Sequence, residues 1–330
     1  MSRPAQDRSV SGRVAAEALA TLPDAVPDGA RALVAEHHPV IEGDLHDLGA
    51  AVSVWDRFAF DGRTATPWPD AGPYDLAVVK LPKGKEAFRT LIQALAHRLT
   101  PEGALWVHGA NDEGIKSAGK VLTEGFDHVE SVLSKRHCRV WCARGLADVP
   151  PAPQPSPYRY EVAGQVLEGI SWPGLFAHGH LDPATQALLE VLPTFDGKVL
   201  DFGCGAGVIG QFIHQRDGLP VDLSDVDALA VDTARRNVPE ANVLLCEGLP
   251  QDTGRYRAIV SNPPLHRGKD TEPGPLRKLI DEAPRRLGRS GELWITTQGA
   301  IPLRERLQER FPRVELVHKD RRFTVWRATR

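Results

Sequence analysis

Short apolar runs separated by amphipathic stretches recur through the second half of the chain. Lys198-Val199-Leu200-Asp201-Phe202 has the character of a buried strand, and Val208 to Ile213 starts a helix after an intervening glycine loop. Pro220 to Asp225 reads as the next strand, Val226 to Asn237 as the next helix, and Asn242-Val243-Leu244-Leu245 as a third strand. Upstream, Asp182-Pro183 ahead of Ala184 to Leu192 supplies an N-cap and a proline at the first helical position. Such alternation predicts a mostly parallel sheet covered by helices on both faces. The pattern changes at the end, where Arg313 to Val317 and Arg322 to Ala328 read as two strands across a short polar turn. An antiparallel hairpin should therefore close the sheet.

The same pattern occurs earlier in the chain. Tyr74-Asp75-Leu76-Ala77-Val78-Val79 lines up with Tyr256-Arg257-Ala258-Ile259-Val260-Ser261. Arg98-Leu99 with Gly103-Ala104-Leu105-Trp106-Val107 matches Arg286-Leu287 with Gly291-Glu292-Leu293-Trp294-Ile295, and Val140-Trp141 matches Val325-Trp326. Any two α/β units share some strand and helix spacing, but a repeated Gly-x-Leu-Trp at a matching offset favours a duplicated domain. The prolines of Val149 to Pro157 forbid helix and central strand, so residues 149–157 are expected to be an extended linker. It separates residues 1–148 from 158–330, and the expected fold is α/β with two tandem Rossmann-like domains.

Composition narrows the class without changing the fold. The 330 residues are 42% hydrophobic and 25% charged, which fits an ordinary globular protein. No apolar run approaches the roughly 20 residues needed to cross a bilayer, and the start resembles no secretory signal, so a cytoplasmic location and no membrane partner are expected. Cys138, Cys142, Cys204 and Cys246 show no paired metal-ligand spacing, so reduced thiols and no metal are expected. The formal charge of −3 gives no overall attraction to nucleic acid. Residues 271–330 nevertheless hold an excess of basic residues, and Arg267, Lys269, Arg277, Lys278, Arg321 and Arg322 are candidates to meet phosphates. A solvated helical face is the alternative for several of them.

Candidate chemistry collects at the ends of the strands. Asp201-Phe202-Gly203-Cys204-Gly205-Ala206-Gly207 links a buried strand to a helix, where small residues let backbone amides approach a ligand. Taken alone, this loop also fits a tight structural turn. Asp225 lies 20 positions after Gly205 at the end of the second strand, where a carboxylate can accept from ribose hydroxyls or cap a helix. Glu247 follows the third strand and can accept from an adenine amino group or stand solvated in its loop. Ser261-Asn262-Pro263-Pro264-Leu265-His266 follows the strand Ala258-Ile259-Val260. Its prolines hold a fixed turn and donate nothing, leaving carbonyl oxygens and the Asn262 amide oxygen to accept. Two acceptors on the hydrogens of an exocyclic amine would orient its nitrogen and favour the pyramidal geometry of attack.

These residues resemble class I methyltransferases that act on exocyclic amines. More narrowly, the chain resembles the ribosomal RNA small subunit methyltransferase C family, guanine-N2 enzymes built from two tandem domains. The likeness includes Val107 to Ala118, Pro173-Gly174-Leu175-Phe176, Leu181-Asp182, Val199 to Gly207, Asn262 to Gly268 and Arg322 to Ala328. It implies S-adenosylmethionine as cofactor and ribosomal RNA, or a ribosomal subunit, as partner. Gly203, Gly205 and Gly207 with Asp201 would frame the cofactor's methionine portion, Asp225 its ribose and Glu247 its adenine, with Phe176 covering it. Asn262 and the Pro263 carbonyl would grip the guanine amine, with Pro264, Leu265 and His266 against the base. For His266 a plain loop histidine is an equal alternative.

The sequence departs from the family at Leu265, where a stacking aromatic is usual. In the first half, Lys80-Leu81-Pro82 occupies the place of Asn262-Pro263-Pro264 and no glycine-rich loop falls within residues 25–45. Residues 1–148 are therefore expected to bind no cofactor and to support folding and substrate, leaving residues 158–330 as the catalytic domain. The same Asn-Pro-Pro grip would serve adenine N6 or a glutamine side chain, and an RNA-binding assembly factor with little turnover is the alternative outside enzymes.

Overall fold

The computed structural model describes residues 10–146, 148–263, 274–298 and 302–330. It divides into two compact units, one of residues 1–57 and 68–154, the other of residues 58–67 and 155–330. Pro264, Leu265, His266, Arg267 and Lys269 lie outside the described residues.

The first unit carries strands β1 (Arg31–Ala35), β2 (Ala51–Trp55), β3 (Tyr74–Lys80), β4 (Leu99–Ala110), β5 (Phe126–Lys135) and β6 (Cys138–Leu146). Its helices are α1 (Val10–Thr21), α2 (Pro39–Asp47), α3 (Lys85–Ala96) and α4 (Ala118–Leu122). The six strands form one sheet in the order β2-β1-β3-β4-β6-β5, with β5 and β6 antiparallel. One apolar layer joins Val14, Leu19 and Ile41 of α1 and α2 to one face; another joins Phe88, Ile92 and Val121 of α3 and α4 to the other. After β1 the chain runs Glu36-His37-His38-Pro39, and His38 caps α2. His108, buried at the end of β4, has its Nδ1 3.1 Å from Ser11 Oγ, and burial pulls it down to about 3, so it is neutral at physiological pH.

In the second unit, a hairpin of β7 (Ser156–Val162) and β8 (Gln165–Ser171) precedes the main sheet. That sheet contains β9 (Val199–Phe202), β10 (Val221–Asp225), β11 (Asn242–Leu245), β12 (Tyr256–Ser261), β13 (Leu287–Gln298), β14 (Arg313–Lys319) and β15 (Phe323–Thr329). Its order is β11-β10-β9-β12-β13-β15-β14, parallel except for β15, which runs antiparallel to both β13 and β14, so the expected terminal hairpin is present. The helices are α5 (Pro183–Leu189), α6 (Val208–Asp217), α7 (Ala228–Asn237), α8 (Gly274–Arg286) and α9 (Arg304–Gln308). Apolar faces of α5, α6 and α7 join one core layer, and those of α8 and α9 the other.

The repeat read from the sequence lands on equivalent ladder positions. Val78 pairs with Trp106 as Val260 pairs with Trp294, and Val107 pairs with Trp141 as Ile295 pairs with Trp326. A register irregularity follows Tyr74 and recurs after Tyr256. A shared bulge is not required by the fold class, so it strengthens the case for duplication.

Two features differ from the sequence reading. Ser156 and Pro157, placed in the linker, already belong to β7, where a two-stranded edge tolerates proline. The segment Phe58–Pro67, placed with the first half, belongs to the second unit.

Candidate functional site

The glycine loop is shaped by its backbone. Gly203, Gly205 and Gly207 have φ of 70°, 53° and 87°, a region that a Cβ disfavours. Gly203 and Cys204 donate N–H bonds to Ser224 O at 2.8 and 3.0 Å, tying the loop to β10. Two of the glycines then part company. A Cβ on Gly205 would meet nothing within 4 Å, whereas one on Gly207 would lie 3.1 Å from Leu223 and 3.3 Å from the Ala234 Cβ. Gly205 therefore faces open space, and Gly207 lets α6 pack against β10 and α7. Cys204 is buried and its thiol is pushed well above the ordinary range by desolvation, so it is no nucleophile.

Asp201 ends the apolar run of β9 with no solvent exposure. Its Oδ2 accepts the Gly210 N–H at 2.9 Å, bracing the start of α6, and its Oδ1 has no hydrogen-bond partner among the described residues. Burial, opposed by the Gly210 N–H, pushes the carboxyl up to about 7. The folded chain thus keeps a proton that the unfolded chain releases near pH 4, so stability is lost as pH rises toward 7. Relative to Asp201→Asn, the ligand-free wild-type protein is expected to lose stability as pH rises from 5 toward 7, by up to about 1.4 kcal/mol per unit. Calorimetry of Asp201→Asn should show a flatter profile; an equally steep one would assign the effect elsewhere.

Asp225 ends β10 and ties two loops together. Its Oδ2 accepts the Gly205 N–H at 2.9 Å and its Oδ1 the Asp227 N–H at 3.0 Å. The cap of α7 is Asp227, whose Oδ1 accepts the Leu229 N–H, so Asp225 is not itself the helix cap. Desolvation, aided by the Asp227 charge, pushes Asp225 up to about 6. Glu247 lies just beyond β11, and its Oε2 accepts the Asp61 N–H at 3.0 Å. Asp61 belongs to the segment Phe58–Pro67, which also places the Ala59 N–H 2.8 Å from Val226 O and bridges Phe58 to Asp227. Phe58 and Phe60 stack with centroids 5.7 Å apart. This wall beside Asp225 and Glu247 was missed from the sequence, because partners 186 positions apart leave no periodic trace.

Asn262 follows β12. Ser261 Oγ donates to Phe202 O at 2.7 Å, fixing the end of β12 against that of β9. The Asn262 Nδ2 lies 2.9 Å from both Asp182 Oδ2 and Thr185 Oγ1. Asp182 also receives the Thr185 N–H at 2.9 Å, the cap expected for α5. Asn262 lines one pocket with Gly203, Gly205, Asp182, Thr185 and Phe176. Phe176 is 63% exposed, an unusual position for a large aromatic side chain. Tyr158 and Tyr160, stacked at 4.5 Å, line the same pocket. Asn237 of α7 supports the loop from behind, its Nδ2 donating to Ala206 O and Ile170 O at 2.8 and 2.9 Å. Pro263 is buried.

The cofactor implied by the resemblance fits these residues. The unpartnered Asp201 Oδ1 is a buried polar atom that a ligand group would satisfy, and the space at Gly205 would be filled by a larger side chain. Among the described residues no cluster of metal-ligating side chains occurs, and no described helix is long and apolar enough to cross a membrane. Several basic residues of the last stretch are spent internally, since Arg277, Arg306 and Arg310 all pair with Asp281 and Arg327 pairs with Glu292.

Comparison with known proteins gives a consistent pattern. The family model described as Methyltransferase small domain matches residues 167–327, and that described as Methyltransferase small domain N-terminal matches residues 53–156. The ribosomal RNA small subunit methyltransferase C of Chromohalobacter salexigens is 37% identical over 310 residues, covering 87% of this chain and 90% of that protein. Its namesake in Ectopseudomonas mendocina is 38% identical over 277 residues, covering 80% and 81%. A solved T. thermophilus 16S rRNA N2 methyltransferase, in complex with AdoMet and guanosine, superposes with a TM-score of 0.84 at 24% identity, covering 99% of this chain and 93% of that one.

Proposed function

Because the chain belongs to the ribosomal RNA small subunit methyltransferase C family, we propose that it methylates the exocyclic N2 of a guanine in small-subunit ribosomal RNA, with S-adenosylmethionine as donor. The observation that carries this reading is Asn262 lining the same pocket as Gly203 and Gly205, which brings an amine-gripping group to the methionine end of a cofactor site. S-adenosylmethionine supplies an electrophilic methyl group on a sulfonium sulfur. Asp201, Gly203 and Gly205 would hold its methionine portion, Asp225 its ribose and Glu247 its adenine, with Phe176 over the pocket mouth.

The protein's own task is to present the amine. Guanine N2 is a weak nucleophile because its lone pair is delocalised into the ring. Asn262 Oδ1 and the Pro263 carbonyl would each accept one of its hydrogens, turning the lone pair toward the methyl carbon. Methyl transfer would leave the electron pair of the broken bond on the donor's sulfur and the amine positively charged and acidic, so its surplus proton would pass to water and no general base would be needed before attack. A base buried in a duplex cannot reach this pocket, so the target would be unpaired or flipped out. Pro264, Leu265 and His266 remain assigned to the base. Lys278, Arg321 and Arg322 would meet its flanking phosphates, consistent with a cytoplasmic enzyme acting on RNA or a ribosomal subunit.

Mapping modified nucleosides in small-subunit RNA from cells with and without this protein tests the reading. One N2-methylguanosine should be lost on deletion and return with the wild-type chain; an unchanged guanosine profile would overturn it. The segment Phe58–Pro67 also has an expected effect. Ala59 donates its N–H to Val226 O, and Ala59→Pro both removes that donor and sets a ring carbon against the carbonyl, so the segment is displaced from Val226. Affinity for S-adenosylhomocysteine should fall at least about fivefold, read by calorimetry, with turnover at saturating cofactor retained.

A further inference from the structure

An asparagine amide is ambivalent: it offers a carbonyl oxygen and an NH2 group, and only the oxygen can receive the hydrogens of an amine. With the NH2 turned outward, donor would meet donor and the target base would be repelled. The site therefore needs the amide held one way round, and Asn262 carries no such instruction in itself. The restraint comes from a different element, 80 and 77 positions earlier. The two hydrogens on Nδ2 have two acceptors within 2.9 Å, the Asp182 carboxylate and the Thr185 hydroxyl. Both donors of the amide are thereby used, and Oδ1 is what it presents to the pocket. In the flipped state Oδ1 would face a carboxylate oxygen, an acceptor against an acceptor.

We propose that Asp182 and Thr185 are positioning residues which lock the Asn262 amide with its oxygen outward and so set the site's selectivity for an amine. This rests on the assignment of Asn262 to the target amine. Asp182 has a second effect through the same contact. A negative charge behind the NH2 polarises the amide and makes Oδ1 a stronger acceptor. The attacking nitrogen gains positive charge as the methyl group transfers, so a stronger acceptor helps the transition state more than the bound substrate. The Asp182 cap on α5 fixes the carboxylate in place, and Thr185, 6% exposed, is held by α5 packing. One short helix start thus serves folding and chemistry through one carboxylate oxygen.

The two roles separate experimentally because asparagine is as good an N-cap as aspartate. In the full-length protein, Asp182→Asn should keep the thermal midpoint and the affinity for S-adenosylhomocysteine while lowering kcat about 10-fold to 100-fold with KM for RNA little changed. Thr185→Val should lower kcat in the same way, and Thr185→Ser, which keeps the hydroxyl, should recover turnover relative to Thr185→Val. In an Asn262→Ala background, Asp182→Asn and Thr185→Val should have no further effect. Independently of activity, the Asn262 side-chain NH2 signals in the NMR spectrum of ligand-free protein should shift on Asp182→Asn. If Asn262→Ala itself leaves turnover intact, the amine assignment falls and this proposal with it. If Asn262→Ala abolishes turnover but Asp182→Asn and Thr185→Val do not lower kcat, or lower it equally without Asn262, the positioning role alone is overturned.

Discussion

Replacing Asn262 with alanine should suppress methyl transfer about 1000-fold while leaving affinity for S-adenosylhomocysteine within about twofold of wild type. The side chain supplies one of the two acceptors assigned to the amine, and its loss removes both hydrogen bonding and orientation at the reacting nitrogen. Cofactor affinity should survive because the groups assigned to the cofactor sit at the ends of β9, β10 and β11, whereas Asn262 follows β12. Asn262→Asp should not rescue turnover. Its carboxylate would stand against Asp182, at a contact that is now 2.9 Å from amide nitrogen to carboxylate oxygen, and like charges at that distance repel. Single-turnover rates and isothermal calorimetry on the same preparations separate the two effects. A parallel loss of rate and cofactor affinity would place Asn262 in the cofactor site instead.

The second large effect is expected at Asp225. Its carboxylate is assigned to the ribose and also holds the Gly205 and Asp227 amides, so Asp225→Ala removes ligand contacts and loosens the glycine loop together. Hydrogen bonds to a charged group contribute about 1.5–3 kcal/mol each, so affinity for S-adenosylhomocysteine should fall at least 10-fold to 100-fold. The pH dependence carries a distinct signature. Desolvation raises the carboxyl to about 6, so the strongly accepting carboxylate form prevails above that pH and is lost below it. Wild-type affinity should decline as pH falls from 8 through 6, and Asp225→Asn should be weaker and lack the part of the decline centred near pH 6. Wild-type affinity that rises on acidification would contradict the ribose assignment.

The two effects depend on features that differed in how visible they were from sequence. The parallel sheet, the terminal hairpin and the duplication were legible because they rest on local patterns: strand alternation, turn residues and a repeated Gly-x-Leu-Trp. Those patterns place Trp106 and Trp294 at matching ladder positions. Asp182 was legible only as a helix cap, since its link to Asn262 is made by tertiary packing alone. Gly205 and Gly207 look alike in the sequence and differ only in what surrounds them, open space in one case and Leu223 with Ala234 in the other. The segment Phe58–Pro67 had no signature at all, because its partners Val226, Asp227 and Glu247 lie in the other half of the chain. The hairpin of β7 and β8 was not read from the sequence, and only its start, Ser156-Pro157, had been placed in the spacer.

The duplicated architecture leaves the two halves with different local chemistry at corresponding strand ends. After β9 the second unit has a loop of positive-φ glycines, whereas after β1 the first unit has His38 capping α2. Lys80, at the end of β3, pairs with Glu113 at 3.3 Å where the second unit has Asn262 just after β12. These substitutions replace acceptors and open backbone with groups engaged in their own unit.

The most direct measurement is incubation of the purified chain with S-adenosylmethionine labelled in the methyl group and with small-subunit RNA, both free and in assembled particles, followed by digestion to nucleosides. Label should appear in N2-methylguanosine at one position and be absent with Asn262→Ala. Label in N6-methyladenosine or in protein glutamine, or RNA bound with no label transferred, would contradict the account.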